Sequence, residues 1–392
     1  MMTSRERVLT ALDHREPDRV PVDVGSMPVS GICAGAYPRV VEALGLPARE
    51  VRIIDVPQQL AAIDADVLRA LGGDCIGITT NDPEPPSAPA DDGEYESYRD
   101  VWGALRRRPH GGFYFDLAES PLHEPTPEAL AAYAWPDPDD PRRYTGLREQ
   151  VRLLRETTPY AIVGRPDFGS DILGTFQHTR GYTESLLDLA ADPDFAAAYF
   201  ERVTDMAVRA WTRFLAEVGD LIDVAATFDD LGMQDRPLMS VKMYRRLLKD
   251  RHARVFETIR RHTGAHILFH SDGAVVDFLP DLIEIGVQVL NPVQVSSNGL
   301  EDTAALKRRF GKELSFWGAA CDSQVVLSRG TPEEVRAETE RRIQDLAPGG
   351  GFVCASVHNV QSDVPPANVL SMFRAARDFG TYPVRPPNGG PT

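Results

Sequence analysis

The chain has 392 residues, 42 % hydrophobic and 26 % charged, which is typical of a folded globular protein with one large domain or two ordinary ones. Its 58 acidic and 42 basic residues give a net charge of −16, which argues against a nucleic-acid surface because an acidic protein repels phosphate backbones. No run of roughly 18 apolar residues predicts a membrane span, and the mixed, charged N-terminus does not resemble a signal peptide, so we expect a cytoplasmic protein.

The N-terminal segment predicts a helix. Thr3 and Glu6 have the spacing of a capping box, in which each side chain satisfies the backbone N–H of the other. Val8 and Leu12 supply an apolar face, and Pro17 ends the helix because it lacks an N–H donor.

Eight short apolar runs follow and predict parallel β-strands, because helical patterns separate the later ones and near-continuous apolar strands are buried on both faces. The predicted strands are Val20–Val24, Asp74–Ile78, Tyr160–Val163, Leu221–Thr227, His266–Phe269, Val287–Leu290, Leu314–Trp317 and Phe352–Val357. The helical segments between the later strands are Pro237–Thr263, Ala274–Ile285, Leu300–Phe310 and Pro332–Leu346. Eight such units predict an α/β fold of the (β/α)8 TIM-barrel type.

One stretch departs from the alternation of strands and helices. Asn81–Gly93 is rich in Pro, Ala and Asp and predicts a surface loop, and the aromatic-rich segment Glu94–Leu122 predicts an inserted β-hairpin after the second βα unit. The insert, at about residues 81–122, either covers the barrel mouth or forms the contact of a homodimer. We predict one domain over residues 1–382 and a flexible Pro/Gly-rich tail over residues 383–392.

Polar clusters follow five consecutive predicted strands. In a TIM barrel the active site lies at the C-terminal ends of the strands, so these clusters are expected on one rim. They are Phe228–Gly232, His270–Gly273, Asn291–Gln294, Gly318–Asp322 and His358–Gln361.

His270, Asp272 and His358 are the candidate metal ligands. His270 and Asp272 are two residues apart, so an extended backbone directs both side chains to one side, and His358 could supply a third ligand. Two imidazoles and one carboxylate suit zinc, iron or manganese. The alternative is a metal-free polar rim that binds substrate by hydrogen bonds.

Paired carboxylates at Asp229 and Asp230 predict a general acid or base, because neighbouring like charges raise one pKa. The alternative is that one of them caps the following helix. Arg165, directly after the third strand, is the candidate anion-binding residue, and His178 and Arg180 follow it on a loop that could reach the mouth.

Further substrate contacts are predicted from the polar clusters. Cys321 could act as a nucleophile or ligand, although a lone buried thiol usually serves packing. The other predicted substrate-binding residues are Asn291, Gln294, Asn359 and Gln361.

Taken together, these segments resemble the uroporphyrinogen decarboxylase superfamily, which also contains corrinoid-dependent methyltransferases. The resemblance spans nearly the whole chain and implies a (β/α)8 barrel. Four of the five polar clusters carry the resemblance: Phe228–Gly232, His270–Gly273, Asn291–Gln294 and His358–Gln361. At the remaining strand end the matching segment is Phe316–Gly318. The other matching segments are Thr3–Leu9, Asp18–Val22, Gly349–Phe352 and Val364–Val369.

The two branches of the superfamily differ at positions that can be compared. Decarboxylases carry an Arg-rich loop after the first strand, whereas Gly25–Cys33 contains no arginine. The methyltransferase branch holds zinc through a His-x-Cys pair and a later Cys. This chain keeps His270 but has Asp272 for the first Cys and His358 for the second, which makes a harder ligand set.

The resemblance therefore implies a metal-assisted methyltransferase that moves a methyl group between a corrinoid and a small acceptor. His270, Asp272 and His358 would hold zinc, or else iron, and Asp229 or Asp230 would act as a base. A separate corrinoid protein is the partner that this activity would use. The alternatives are a metal-free decarboxylase acting on a porphyrinogen or another carboxylated substrate, and a non-catalytic tetrapyrrole binder.

Overall fold

A computed structural model gives the fold of residues 2–83 and 89–385. Residues 84–88 of the predicted loop and residues 386–392 of the predicted tail lie outside the described residues. The strands are β1 (Ile53–Asp55), β2 (Leu60–Ala61), β3 (Cys75–Thr79), β4 (Ala90–Asp91), β5 (Tyr95–Arg99), β6 (Leu105–Pro109), β7 (Asp116–Glu119), β8 (Ala161–Arg165), β9 (Val224–Phe228), β10 (His266–His270), β11 (Val289–Asn291), β12 (Ser315–Ala319) and β13 (Phe352–Ala355).

Helices alternate with the later strands. They are α1 (Ser4–Leu12), α2 (Tyr37–Ala43), α3 (Ala65–Leu71), α4 (Pro127–Ala132), α5 (Leu147–Thr157), α6 (Leu173–Arg180), α7 (Tyr182–Ala191), α8 (Pro193–Val218), α9 (Val241–Leu247), α10 (Lys249–His262), α11 (Leu279–Ile285), α12 (Thr303–Phe310), α13 (Val326–Arg329), α14 (Pro332–Leu346) and α15 (Pro366–Phe379). Short 3-10 helices cover Pro28–Ser30, Pro141–Tyr144 and Val276–Phe278. In the described part of the chain, no helix is both long and apolar enough to cross a membrane.

The central sheet has seven parallel strands in the order β13-β12-β11-β10-β9-β8-β3. From β8 to β13 the order in the sheet follows the order along the chain, and helices join the successive strands, which is the connectivity of a curled, TIM-barrel-like α/β fold. Seven of the eight predicted strands therefore correspond to strands of this sheet.

The eighth predicted strand, Val20–Val24, is not a regular strand. It lies between the two edges of the sheet and makes only single bridges. Asp74 N donates to Val22 O at 2.7 Å on one side, and Asp23 N donates to Cys354 O at 2.9 Å on the other. Pro21 has no N–H, and the N–H of Val22 donates to the Asp74 carboxylate instead, so a continuous ladder cannot form.

Side chains that alternate along the strands fill the barrel interior. Val224, Leu268 and Trp317 belong to one buried cluster, and Val8 and Leu12 of α1 join it from the N-terminal side. The predicted capping box of α1 is confirmed. The helix therefore closes the bottom of the barrel and leaves the C-terminal ends of the strands for the site.

The insert forms a four-stranded antiparallel sheet in the order β4-β5-β6-β7. It is tied to the C-terminal face of the barrel at two points. Phe115 N donates to Pro57 O at 2.8 Å, and the Tyr114 hydroxyl donates to Asn359 Oδ1 at 3.0 Å. The inserted sheet thus lies over the barrel mouth.

Candidate active site

A large open cavity lies at the C-terminal ends of the strands. Its volume is about 1650 Å³, and its lining comes from the barrel, the inserted sheet and the loop after β8. His270, His358 and Asp230 lie at the strand-end side of this cavity, which we call the floor. The polar clusters of β9, β10 and β13 therefore do meet at one rim, as parallel strands require.

The three predicted metal ligands converge beside the floor. One ligand atom from each of His270, Asp272 and His358 lies within 4.8 Å of the other two. His270 Nε2 is 3.7 Å from Asp272 Oδ2, and His358 Nε2 is 3.6 Å from the same oxygen. Neighbouring ligands of a tetrahedral zinc ion lie about 3.3 Å apart, so the separations fit a small divalent ion after a small adjustment.

Asn291 fixes the orientation of the His270 ring. Its Nδ2 donates to Trp317 O at 3.1 Å, which leaves its Oδ1 as an acceptor, and that oxygen lies 2.7 Å from His270 Nδ1. His270 Nδ1 therefore carries the proton that Asn291 accepts. This leaves Nε2 of the neutral ring with a lone pair directed at the carboxylates, which is the arrangement of a metal-binding histidine with a supporting acceptor.

The donor set fits a metal ion for a second reason. Asp272 Oδ1 is buried and has no hydrogen-bond partner among the residues that the structure describes. Burial of an unsatisfied carboxylate oxygen is costly, and a bound cation would remove that cost. Two imidazoles and one carboxylate are ligands that zinc and iron accept.

The charges at the floor are strongly coupled. Burial alone would lower the pKa of His270, but the Asp272 and Asp230 carboxylates outweigh it and raise the pKa to about 9. Burial would raise the pKa of Asp272, but His270 and His358 hold it below its usual range. Desolvation at the floor, although the Asp230 side chain stays partly accessible, and the Asp272 carboxylate raise the pKa of Asp230. At pH values below about 9, these carboxylates favour the imidazolium form of His270, and a cation bound at Nε2 would have to displace that proton.

The comparisons with known proteins agree with this architecture. A family model described as uroporphyrinogen decarboxylase (URO-D) matches residues 121–379, which include strands β8 to β13 and all three candidate ligands. The chain belongs to the uroporphyrinogen decarboxylase family. No curated protein matches the sequence.

Solved structures similar to this family member include a methyltransferase from Methanosarcina mazei. It shares 16 % identity with a TM-score of 0.60, and the alignment covers 97 % of this chain and 99 % of that one. At this identity the likeness shows the fold. A β-glycosidase from Thermosphaera aggregans shares 10 % identity over 95 % of this chain and 98 % of its own, with a TM-score of 0.41, which is too low to carry an argument.

Asp229 and Asp230 have different environments in this URO-D family chain. Asp229 is buried, and its two oxygens accept from Ile172 N at 3.0 Å, Gly174 N at 2.8 Å and His252 Nε2 at 2.8 Å. These bonds hold the start of α6, so the geometry gives Asp229 a structural task rather than that of a free base. Asp230 keeps 54 % of its side chain accessible and lies 3.8 Å from His270 Nε2.

Four amides predicted to bind substrate have partners within the protein. Asn291 orients His270, and Gln294 accepts from Gly273 N at 2.7 Å. Asn359 donates to Gln58 Oε1 at 2.7 Å and accepts from Tyr114, and Gln361 donates to the Tyr114 hydroxyl. They brace the loops of the site and the inserted sheet, because strand-end amides can satisfy buried backbone and side-chain groups as well as a substrate.

Cys321 does not reach the cavity, and its prediction as a substrate-binding residue was wrong. The residue is fully buried, and its Sγ lies 4.0 Å from Met372 Sδ of α15. Burial raises its pKa far above the ordinary thiol value, which removes its reactivity. After Gly318 the chain turns through Ala319 with a φ of 59°, and Cys321 packs against the helical layer instead of the mouth.

The loop after β8 contributes more than the sequence predicted. Arg165 lines the cavity, and so does His178, which lies with Arg180 on α6 and not on the predicted loop. Arg180 is buried and pairs with Asp188 at 2.7 Å. Sequence reasoning missed Asp171, which also lines the cavity. Burial and the nearby Asp229 carboxylate raise the pKa of Asp171 to about 7. The signal was the pair of carboxylates in Asp167–Asp171, directly after the strand that ends at Arg165.

Proposed function

We propose that the protein is a metal-assisted methyltransferase that moves a methyl group between a corrinoid and a small acceptor. The observation that carries the proposal is the convergence of His270, Asp272 and His358, with a buried Asp272 oxygen that lacks a partner among the described residues. The chain belongs to the URO-D family, and the superfamily that it resembles contains corrinoid-dependent methyltransferases, which supports the proposal.

The residues of the floor would have different roles in methyl transfer. Zinc, or else iron, held by the three ligands would act as a Lewis acid that lowers the pKa of an acceptor thiol or hydroxyl. Asn291 holds the His270 ring so that Nε2 faces the ligand position. Asp230, accessible from the cavity and raised in pKa, is placed to take the proton that the acceptor releases.

The cavity has room for a bulky reactant. Its volume of about 1650 Å³ exceeds the roughly 300–1000 Å³ of ordinary small-molecule pockets, and a corrinoid together with a small acceptor needs such space. The corrinoid would enter through the open mouth, either free or carried by a separate corrinoid protein.

A metal-free decarboxylase is the second candidate, and the protonation state of His270 favours it. With its pKa raised to about 9, the imidazolium at the floor could donate a proton to a carbanion left by loss of carbon dioxide. The loop after the first barrel segment argues against it. Pro28 and Val29 of this loop line the cavity, at the place where decarboxylases of the family present arginines.

The test is a turnover assay with methylcobalamin and a panel of thiols and alcohols, using zinc-loaded protein and following demethylation by the corrinoid absorbance. The proposal predicts turnover by the wild type, loss in His270→Ala, and retention in a His262→Ala control, whose imidazole is exposed outside the cavity. Carbon dioxide release from a porphyrinogen without methyl transfer would favour the lyase. Corrinoid binding without any turnover would leave only a binder.

A further inference from the structure

One side of the cavity carries excess negative charge. Asp55, from the β1–β2 hairpin, and Asp167 and Asp171, from the loop after β8, all line it. With the aromatic residues Trp102 and Phe168 they form a surface that we call the β8 wall. These three carboxylates lie near two guanidiniums, that of Arg165 and that of Arg143, which packs on the Phe168 ring, so the wall keeps an excess of negative charge.

The protein compensates this charge only weakly. Arg165 lies 3.9 Å from Asp167, beyond hydrogen-bond distance. Asp171 accepts from the Thr175 hydroxyl at 3.1 Å, and Asp55 accepts from Gln58 N at 2.8 Å, both from neutral donors. Burial raises the pKa of Asp55, and burial together with the Asp229 carboxylate raises the pKa of Asp171 to about 7, because the nearby Arg165 guanidinium offsets these effects only in part.

Aromatic rings stand beside these carboxylates. The Trp102 and Phe168 rings meet edge to face, with centroids 5.3 Å apart and an interplanar angle of 81°. The guanidinium of Arg143 lies 3.8 Å from the centre of the Phe168 ring, so this ring already takes part in one cation–π contact. Aromatic faces and carboxylates together favour an organic cation over a neutral or anionic group.

A second feature of the same cavity points to a ligand. Tyr98 of β5 lines it and is only 5 % exposed, yet its hydroxyl has no hydrogen-bond partner in the described part of the chain. A buried hydroxyl without a partner is destabilising, and a ligand that donates a hydrogen bond would satisfy it.

The β8 wall does not have the ligand arrangement of an inorganic cation site. Among residues 2–83 and 89–385, the only set of three His, Cys, Asp or Glu side chains close enough to hold an ion is the one formed by His270, Asp272 and His358. The wall carboxylates therefore offer charge without converging ligand atoms.

We propose that the β8 wall binds the ammonium group of a small organic cation, which is one of the two reactants. The inference rests on the proposed function, because it names the substrate class of the same cavity. Phe228 joins the wall to the floor. Arg165 lies 5.8 Å from the centre of the Phe228 ring, and that ring lies 5.3 Å from the ring of His270. A substrate anchored at the wall by its ammonium group can thus place its other end at the floor.

The test compares two probes of the same shape. Choline has a positively charged nitrogen where 3,3-dimethylbutan-1-ol has a neutral carbon. Isothermal titration calorimetry measures the binding of each. We expect choline to bind at least about tenfold more tightly, and Asp167→Asn/Asp171→Asn to remove most of that preference. Asp235→Asn is the control, since Asp235 is 66 % exposed outside the cavity.

Two further measurements separate this inference from the proposed function. Choline should still bind to His270→Ala/His358→Ala, in which metal binding and methyl transfer are lost. Its affinity should fall as the pH drops below about 7, where Asp171 becomes protonated. Equal affinities for the two probes, no measurable choline binding, or tighter binding of a dicarboxylate would each overturn the proposal.

Discussion

The Oδ1 atom of Asn291 lies 2.7 Å from Nδ1 of His270, and this contact determines which nitrogen of the imidazole faces the cavity. The two residues are directly opposite each other on neighbouring parallel strands, β11 and β10. The register of the barrel sheet thus fixes the orientation of one candidate metal ligand through a buried amide.

Replacing Asn291 by Ala should weaken zinc binding by about 10- to 100-fold, because loss of a supporting acceptor frees the His270 ring to rotate and lowers its basicity. Competition with a chromophoric chelator measures the change. Asn298→Ala, at an exposed loop position, should bind zinc as the wild type does. Wild-type zinc affinity in Asn291→Ala would contradict the role of this contact.

Zinc affinity should depend steeply on pH. The pKa of His270 is raised to about 9 in the metal-free protein, so the ion must displace a proton at any lower pH. The affinity should rise by about tenfold per pH unit and level off above pH 9. Competition titrations over this range test it, and an affinity that is flat below pH 8 would show that His270 is already neutral.

The same shift affects the stability of the metal-free protein. A histidine whose pKa is raised on folding stabilises the folded state below its ordinary pKa of 6.5, and this contribution is lost as the pH rises through about 9. The free energy of unfolding of metal-free wild type should therefore decrease over this interval. His270→Asn should lack that decrease in urea denaturation, and parallel curves for the two proteins would refute the prediction.

Asp229 and Asp230 should respond differently to substitution. Asp229→Ala leaves one buried and one partly buried backbone N–H group and the buried His252 without their acceptor, so it should lower the free energy of unfolding by about 3 kcal/mol. Asp230→Asn should change stability by less than about 1 kcal/mol but reduce methyl transfer. A stable Asp229→Ala protein without activity would restore the catalytic role that the sequence suggested.

Cys321→Ala should leave zinc content and turnover unchanged, because the thiol packs against Met372 outside the cavity. The cost in stability should be about 1 kcal/mol, from lost packing. Reagents that label thiols should not modify Cys321 in the native protein. Rapid labelling, or loss of activity in Cys321→Ala, would place this thiol in the site.

The sequence predicts the strands of the barrel well because each is a short apolar run and most are buried on both faces. Val20–Val24 has the same composition, but its pairing depends on backbone donors that composition does not reveal. Pro21 lacks an N–H, and Val22 directs its own to the Asp74 side chain, so only isolated bridges form.

The positions of the candidate ligands at the ends of predicted strands are enough to predict that they lie on one rim. The same positions do not predict the roles of the neighbouring polar residues. The five polar clusters predict a common rim, and His270, Asp272 and His358 do meet there. A polar residue at a strand end can face the cavity or brace a loop, and the side-chain partners that decide between these are distant in sequence. Asn291 and Asp229 brace structure, while Asp171 lines the cavity although its loop was not singled out for a carboxylate.

The most direct test of the account is the metal content of protein purified without a chelator or affinity tag, measured by mass spectrometry. The comparison uses His270→Ala/His358→Ala and a matched control, His110→Ala/His262→Ala, which removes two exposed imidazoles away from the floor. The account predicts near-stoichiometric zinc or iron in the wild type and the control, and none in the first variant. Metal retained in His270→Ala/His358→Ala, or a wild type that binds neither ion when zinc and iron are supplied, would contradict it.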